Sequence, residues 1–145
     1  MLKTVKSDLF YFARPTYYAH ACNCRGVWGN GIAVEFRNRY PKSYAAYQKF
    51  CEDKALPGSV LITSENIICL MTSVGVSSQK SSTEDIVRYT EIALRKLLDR
   101  LPNGSKIYSP KFNSGLFAVP WHLTEQTLME CLKKRPDIDW VVCEQ

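Results

Sequence analysis

Long apolar runs are missing from this chain of 145 residues. None approaches the ~20 residues that a membrane-spanning helix requires, so no membrane partner is expected. A secretory leader is not expected either, because Met1-Leu2-Lys3-Thr4 carries no apolar core behind it. Histidine is scarce, with only His20 and His122 present, and the six cysteines show no C-x-x-C spacing. Cys22-x-Cys24 is tighter than the usual metal pair, so the sequence offers no ligand set for structural zinc and no metal is expected. No cysteine is followed by arginine at C-x-x-x-x-x-R spacing, which removes a phosphocysteine mechanism. Linkers, repeats and low-complexity segments are also lacking, and residues 1–145 read as one domain able to bury roughly two thirds of its unfolded surface.

Charge of one sign is not concentrated anywhere. The formal net charge of +5 suits an anionic partner, but basic and acidic residues alternate along the chain. The run Lys133-Lys134-Arg135 closes an expected helix, where cations favour the C-terminal dipole, and nucleic-acid binding is not the reading. Cys22, Cys69 and Cys143 fall inside strand-like apolar segments, as reduced cysteines do, which makes an intracellular, reducing compartment the expected location.

What is present alternates between two periods. Leu2 to Lys6 reads as a strand, Pro15 punctuates, and Tyr17 to Cys22 reads as a second strand. Ile32, Ala33, Phe36 and Tyr40 share a helical face, Pro41 ends that helix and opens the next, and Tyr44, Ala45, Gln48 and Cys51 continue a stripe up to Pro57-Gly58. Ser59 to Thr63 and Ile67 to Thr72 form a hairpin about Ser64-Glu65-Asn66. Ile67-Ile68-Cys69-Leu70-Met71 does not alternate, the mark of a strand covered on both faces. Ser81-x-x-Glu84 reads as a capping box opening a helix whose apolar residues run from Ile86 to Leu101, with Glu84/Arg88 and Glu91/Arg95 as i,i+4 pairs. Lys106 to Pro110 is a strand, Leu123 to Lys134 a helix and Ile138 to Cys143 the last strand. Strands alternating with helices predict a three-layer α/β/α domain with a central mixed sheet.

The chemistry points to two loops. His20-Ala21-Cys22-Asn23-Cys24-Arg25-Gly26-Val27-Trp28-Gly29-Asn30-Gly31-Ile32-Ala33 passes from strand to helix through glycines 26, 29 and 31. Such a turn brings backbone N–H groups and the positive end of a helix dipole to an anion. Its G-x-x-G-x-G order is neither the dinucleotide fingerprint nor a P-loop, which needs Lys-Ser/Thr after the last glycine. Trp28 stands in a loop, where burial is not the default reason for an aromatic, although plain packing stays open for it and for Trp121. Asn23 and Asn113 both fall just after strands, where ligands of open α/β sheets bind.

The first loop resembles the ligand loop of macrodomains, the ADP-ribose-binding family, and in particular their small ADP-ribose-1''-phosphate phosphatase branch. Val5-Lys6-Ser7-Asp8-Leu9 is similar to the family's first strand with its V-x-G-D-I motif, Ser7 replacing the glycine. Asn113-Ser114-Gly115-Leu116-Phe117-Ala118-Val119-Pro120-Trp121 is similar to its second phosphate loop. The resemblance implies a macrodomain-like fold and a monomeric enzyme, without cofactor, that binds ADP-ribose and hydrolyses the terminal phosphomonoester of ADP-ribose-1''-phosphate to ADP-ribose and phosphate. It implies that Asp8 accepts hydrogen bonds from the adenine amino group, with Ser7 and Leu9 flanking it. Asn23 would hold the distal ribose beside the reacting phosphate, with Ala21 and Cys22 as a wall. Gly29, Asn30, Gly31 and Ile32 would bind the distal ribose and phosphate, while Asn113, Ser114, Gly115, Leu116, Phe117 and Ala118 wrap the diphosphate.

From the residues themselves, Asn23 equally suits capping its own turn, and His20 is either a general base or a hydrogen-bonded core histidine, since strand alternation points it away from Asn23. Two other functions stay in view: a module that binds ADP-ribose without turnover, and a hydrolase that removes ADP-ribose from modified proteins, which would be its partners. The branch that does the latter through a lysine and an aspartate would need them where Ser73 and Phe117 stand.

Overall fold

The structure is a computed structural model and describes residues 1–12 and 16–145. The expected punctuation at Pro15 lies outside the described residues. Six strands form one sheet: β1 (Leu2–Lys6), β2 (Tyr17–Asn23), β3 (Val60–Ile62), β4 (Ile67–Ser73), β5 (Lys106–Ser109) and β6 (Asp139–Glu144). Four helices intervene: α1 (Ile32–Arg39), α2 (Pro41–Glu52), α3 (Thr83–Arg100) and α4 (Trp121–Leu132). The order across the sheet is β1-β6-β5-β2-β4-β3, parallel except for β3, which pairs antiparallel with β4. The C-terminal ends of the five parallel strands therefore share one edge of the sheet.

Each face carries its own core. On one side Leu94, Leu97, Leu98 and Ala93 from α3 and Leu128 and Leu132 from α4 pack against Ala19, Ile68, Leu70, Ile107 and Trp140 of the sheet. On the other, Phe36 from α1 and Tyr47 from α2 cover Tyr18, Cys22, Ile67, Cys69 and Met71. All seven residues of β4 are buried, as its unbroken apolar run predicts for a strand with helices on both faces.

Local chemistry sets the element ends. Pro41 sits in the first turn of α2, where its missing N–H costs nothing. The same turn is finished from a distance, because a Glu65 carboxylate oxygen in the β3–β4 hairpin accepts from the Ser43 N–H (3.1 Å) and from its hydroxyl (2.8 Å). At α3 the cap lies one residue later than the expected capping box. Ser82 Oγ accepts from the Asp85 N–H (3.1 Å), while Ser81 Oγ accepts from the Val74 N–H (3.0 Å) and ties the preceding loop to the end of β4. Arg88 correspondingly pairs with Asp85 (3.0 Å) rather than Glu84, and Arg95 pairs with Glu91 (3.1 Å) as expected. The run at 133–135 lies just beyond α4: Lys133 meets Glu130, and Arg135 binds Asp137 and the carbonyls of Leu98 and Leu101.

Glu65→Ala should remove both bonds to Ser43 and leave an N-terminal turn of α2 unsatisfied. Urea unfolding should show a loss of about 1–2 kcal/mol.

Candidate active site

The strand-end edge holds a cavity of about 360 Å³, within the range of small-ligand sites. Ser7 and Leu9, just past β1, and Gly31 and Ile32, at the start of α1, line it, and these four were expected to touch ligand. Glu35, Pro110, Cys143 and Gln145 complete the lining and were not expected. Glu35 escapes a sequence reading because an acid in the first helical turn already has a reason to be there. Asp8 sits at the same end, close enough to Cys143 to help burial raise that thiol to about 11, so the thiol stays protonated and neutral at neutral pH. One Asp8 oxygen also accepts from the Phe10 N–H (2.9 Å) at the start of a short 3-10 turn, Leu9–Tyr11, and the residue is exposed.

Both loops present unused amides. Among the described residues, the backbone N–H groups of Gly29, Asn30, Gly31, Ile32 and Ala33 have no protein acceptor, and neither do those of Gly115, Leu116 and Phe117. Gly31 has φ +59° and caps α1 without a side-chain bond. A Cβ placed on Gly115 would meet no atom within 4 Å. Donors without an acceptor in the protein at a strand-to-helix turn are what binds an anion through backbone.

Several expected ligands also support these loops. Asn23 is buried; its Oδ1 accepts from the Arg25 N–H (2.9 Å) and the Tyr47 hydroxyl (3.0 Å), and its Nδ2 donates to the Val27 carbonyl (2.7 Å). The alternation that separated Asn23 from His20 breaks at a register shift between Cys22 and Asn23, which brings Asn23 onto the side of the sheet facing Tyr47. The turn-closing alternative is thus what the geometry displays, with one Nδ2 hydrogen remaining. Asn113 is likewise buried: Oδ1 accepts from Thr72 Oγ1 (2.7 Å), and Nδ2 donates to Thr90 Oγ1 (2.9 Å) and Thr124 Oγ1 (3.3 Å). With φ +70° it starts the second loop, and Ala118 with φ +57° ends it. Phe117 packs on Ile86 and Val119, and Leu116 and Ala118 are exposed. The Ser114 hydroxyl is buried without a partner. Ala21 is half-buried and Cys22 buried beneath the loop.

His20 lies in the core at 1 % exposure. Its ring stacks on Phe36 (4.0 Å, 9°) and meets Trp28 edge-on (4.7 Å). A proton carrier has to reach the reacting group, and this ring meets only side chains, the surroundings of the core-histidine alternative. Trp28 takes the packing alternative: it is 1 % exposed and stacked on Tyr47 (4.9 Å, 19°), so α2 supplies the burial that a loop position did not suggest. The donor atoms of His20, Cys22 and Cys69 lie within 4.8 Å of one another, since β2 and β4 place His20 beside Cys69. Cys22 Sγ stands 3.6 Å from Nε2 and 3.9 Å from Nδ1 of the His20 ring. Burial holds the Cys22 thiol well above its usual range, and the trio packs as small hydrophobes.

The Macro domain family matches residues 19–128. The chain belongs to the macrodomain family. It is 38 % identical over 148 residues to the ADP-ribose 1''-phosphate phosphatase of Lodderomyces elongisporus, covering 88 % of this chain and 90 % of that one. The protein of the same name from Scheffersomyces stipitis is 33 % identical with 98 % of both chains covered. Among solved structures, the macrodomain of Mycobacterium tuberculosis DarG superposes with a TM-score of 0.84 at 25 % identity, covering 100 % of this macrodomain and 98 % of that chain. Thermosipho africanus DarTG, solved in complex with ADP-ribose, superposes with a TM-score of 0.76 at 18 % identity, over 97 % of this chain and 41 % of that one. The macrodomain fold and the central mixed sheet of the sequence reading are therefore those of the molecule.

Two variants separate support from contact. Gly115→Val should fold normally, because nothing occupies the space its side chain enters, yet calorimetry should show ADP-ribose affinity reduced at least about tenfold as the side chain shields the loop amides. His20→Ala should unfold about 2–4 kcal/mol earlier in denaturant, from the cavity left beside Phe36 and Trp28, while keeping its affinity per folded molecule.

Proposed function

We propose that this macrodomain binds ADP-ribose-1''-phosphate and hydrolyses its terminal phosphomonoester with water, giving ADP-ribose and inorganic phosphate. The observation that carries the reading is the pair of unpartnered amide sets, 29–33 and 115–117, on the edge that also bears the nucleoside-sized cavity. The curated relatives named ADP-ribose 1''-phosphate phosphatase, similar over nearly the whole chain, support the same substrate.

In this reading adenine lies against Leu9 with its amino group on the free oxygen of Asp8. The diphosphate rests on the 115–117 amides, with the orphan Ser114 hydroxyl gaining its missing partner there. The distal ribose and the terminal phosphate take the amides of residues 29–33. Phosphoryl transfer to water needs the attacking and leaving oxygens in line and the charge on the equatorial oxygens neutralised, and little covalent work from the protein. Amides fixed before the substrate arrives stabilise that charge without reorganising. The remaining Nδ2 hydrogen of Asn23 is available to the distal ribose, and His20 acts only by bracing Phe36 and Trp28 behind the loop. The burial of His20 also favours a second reading, a module that binds ADP-ribose without turning it over.

The assay that decides is release of inorganic phosphate from ADP-ribose-1''-phosphate. Turnover that Gly115→Val abolishes supports the phosphatase, and tight binding of ADP-ribose with no phosphate released supports the binding module. Asp8→Asn should keep the cap on the 3-10 turn, since asparagine caps as well as aspartate, and should weaken ADP-ribose about tenfold through loss of a charged hydrogen bond to adenine. Equal affinity of the variant and the original protein would remove Asp8 from the adenine.

A further inference from the structure

The free carboxylate of Glu35 is the least expected part of the cavity wall. It lies one helical turn beyond Gly31 and Ile32, and so about 5 Å along α1 from the loop amides. An arginine stands four residues on, the natural partner for such a glutamate, but the Arg39 guanidinium lies over the Phe10 ring at 4.4 Å instead. Among the described residues Glu35 has no ion pair or hydrogen bond. The neighbouring acid at the end of β6, Glu144, is by contrast neutralised by Lys111 at 2.6 Å. In a protein with net charge +5, this cavity thus sets the carboxylate of Glu35 beside the backbone of Gly31 and Ile32, with the Asp8 carboxylate next to the lining residues Ser7 and Leu9.

We infer that Glu35 is a specificity-determining residue that accepts hydrogen bonds from the hydroxyls of the adenosine ribose and rejects nucleotides carrying a phosphate on that ribose. This rests on the reading of the cavity as an ADP-ribose site. The position follows from the lining: Leu9, beside the adenine of this reading, and Gly31, of the amide loop, face the same cavity as Glu35, so a ribose between adenine and diphosphate lies level with the first turn of α1. A carboxylate there matches two neighbouring hydroxyls, which are donors, and opposes a phosphate, which is only an acceptor and carries like charge. Acidic side chains select unphosphorylated riboses in dinucleotide sites of other folds by the same chemistry.

The test is calorimetric binding of ADP-ribose and of ADP-ribose phosphorylated at the 2'-hydroxyl of its adenosine, at low ionic strength where a surface charge is felt over its full range. The original protein should prefer the unphosphorylated ligand by about tenfold or more. Glu35→Gln should bring the two ligands to within about threefold, and Glu35→Lys should reverse the preference. A preference of the original protein that persists unchanged in both variants overturns the role of Glu35 while leaving the ADP-ribose site standing. Failure of the original protein to bind either ligand overturns the ADP-ribose reading itself, and the role of Glu35 with it.

Discussion

The one constraint on which this site depends is the break in register between Cys22 and Asn23 at the end of the central strand. It turns a residue that would have faced the other layer toward α2, where the Tyr47 hydroxyl donates to the Asn23 carbonyl at 2.6 Å and to its side chain at 3.0 Å. Burial pushes the Tyr47 phenol far up, so it remains a donor at any ordinary pH. From that anchor Asn23 holds Arg25 and Val27, Trp28 drops onto the Tyr47 ring, and the chain emerges at residues 29–33 with its amides unspent. A loop that presents donors must be kept from folding onto them, and here Tyr47, twenty-four residues beyond Asn23, does so.

The two ends of the cleft use different parts of the polypeptide. In the proposed reading the phosphate end is backbone, indifferent to side-chain identity except where a Cβ would intrude, and the nucleoside end is side chain, where single charges would decide what is accepted. Buried polar groups of Asn23 and Asn113 sit behind the backbone end, and each is satisfied by several partners, as groups removed from water must be.

The order of the elements was legible because their signals are local. The stripe from Ile86 to Leu101 can only be a helix with one buried face, and the unbroken run at 67–71 can only be a strand covered twice. The two loops were legible through their resemblance to the family. What stayed hidden depends on contacts distant in the chain. The burial of Trp28 is made by Tyr47, the facing of Asn23 by a bulge that no local spacing encodes, and the capping of α2 by Glu65 across a hairpin. The His20–Cys22–Cys69 grouping arises from strand pairing and was invisible to a search for close cysteine spacings. Glu35 was hidden for the opposite reason, since its local role is sufficient to explain it.

The anchoring of the second loop bears on how such a protein can change over generations. Asn113 ties its start to Thr72 of β4, Thr90 of α3 and Thr124 of α4, while Phe117 and Val119 fasten its end beside Ile86. The residues between, Gly115 and Leu116, and Ala118 just before the last anchor, point to solvent and touch little. Substitutions at these three therefore alter what the loop greets without disturbing what holds it, whereas the four-residue polar knot admits few replacements. What the loop presents and what holds it in place thus fall to different residues of one short segment, so the first can vary while the second stays fixed.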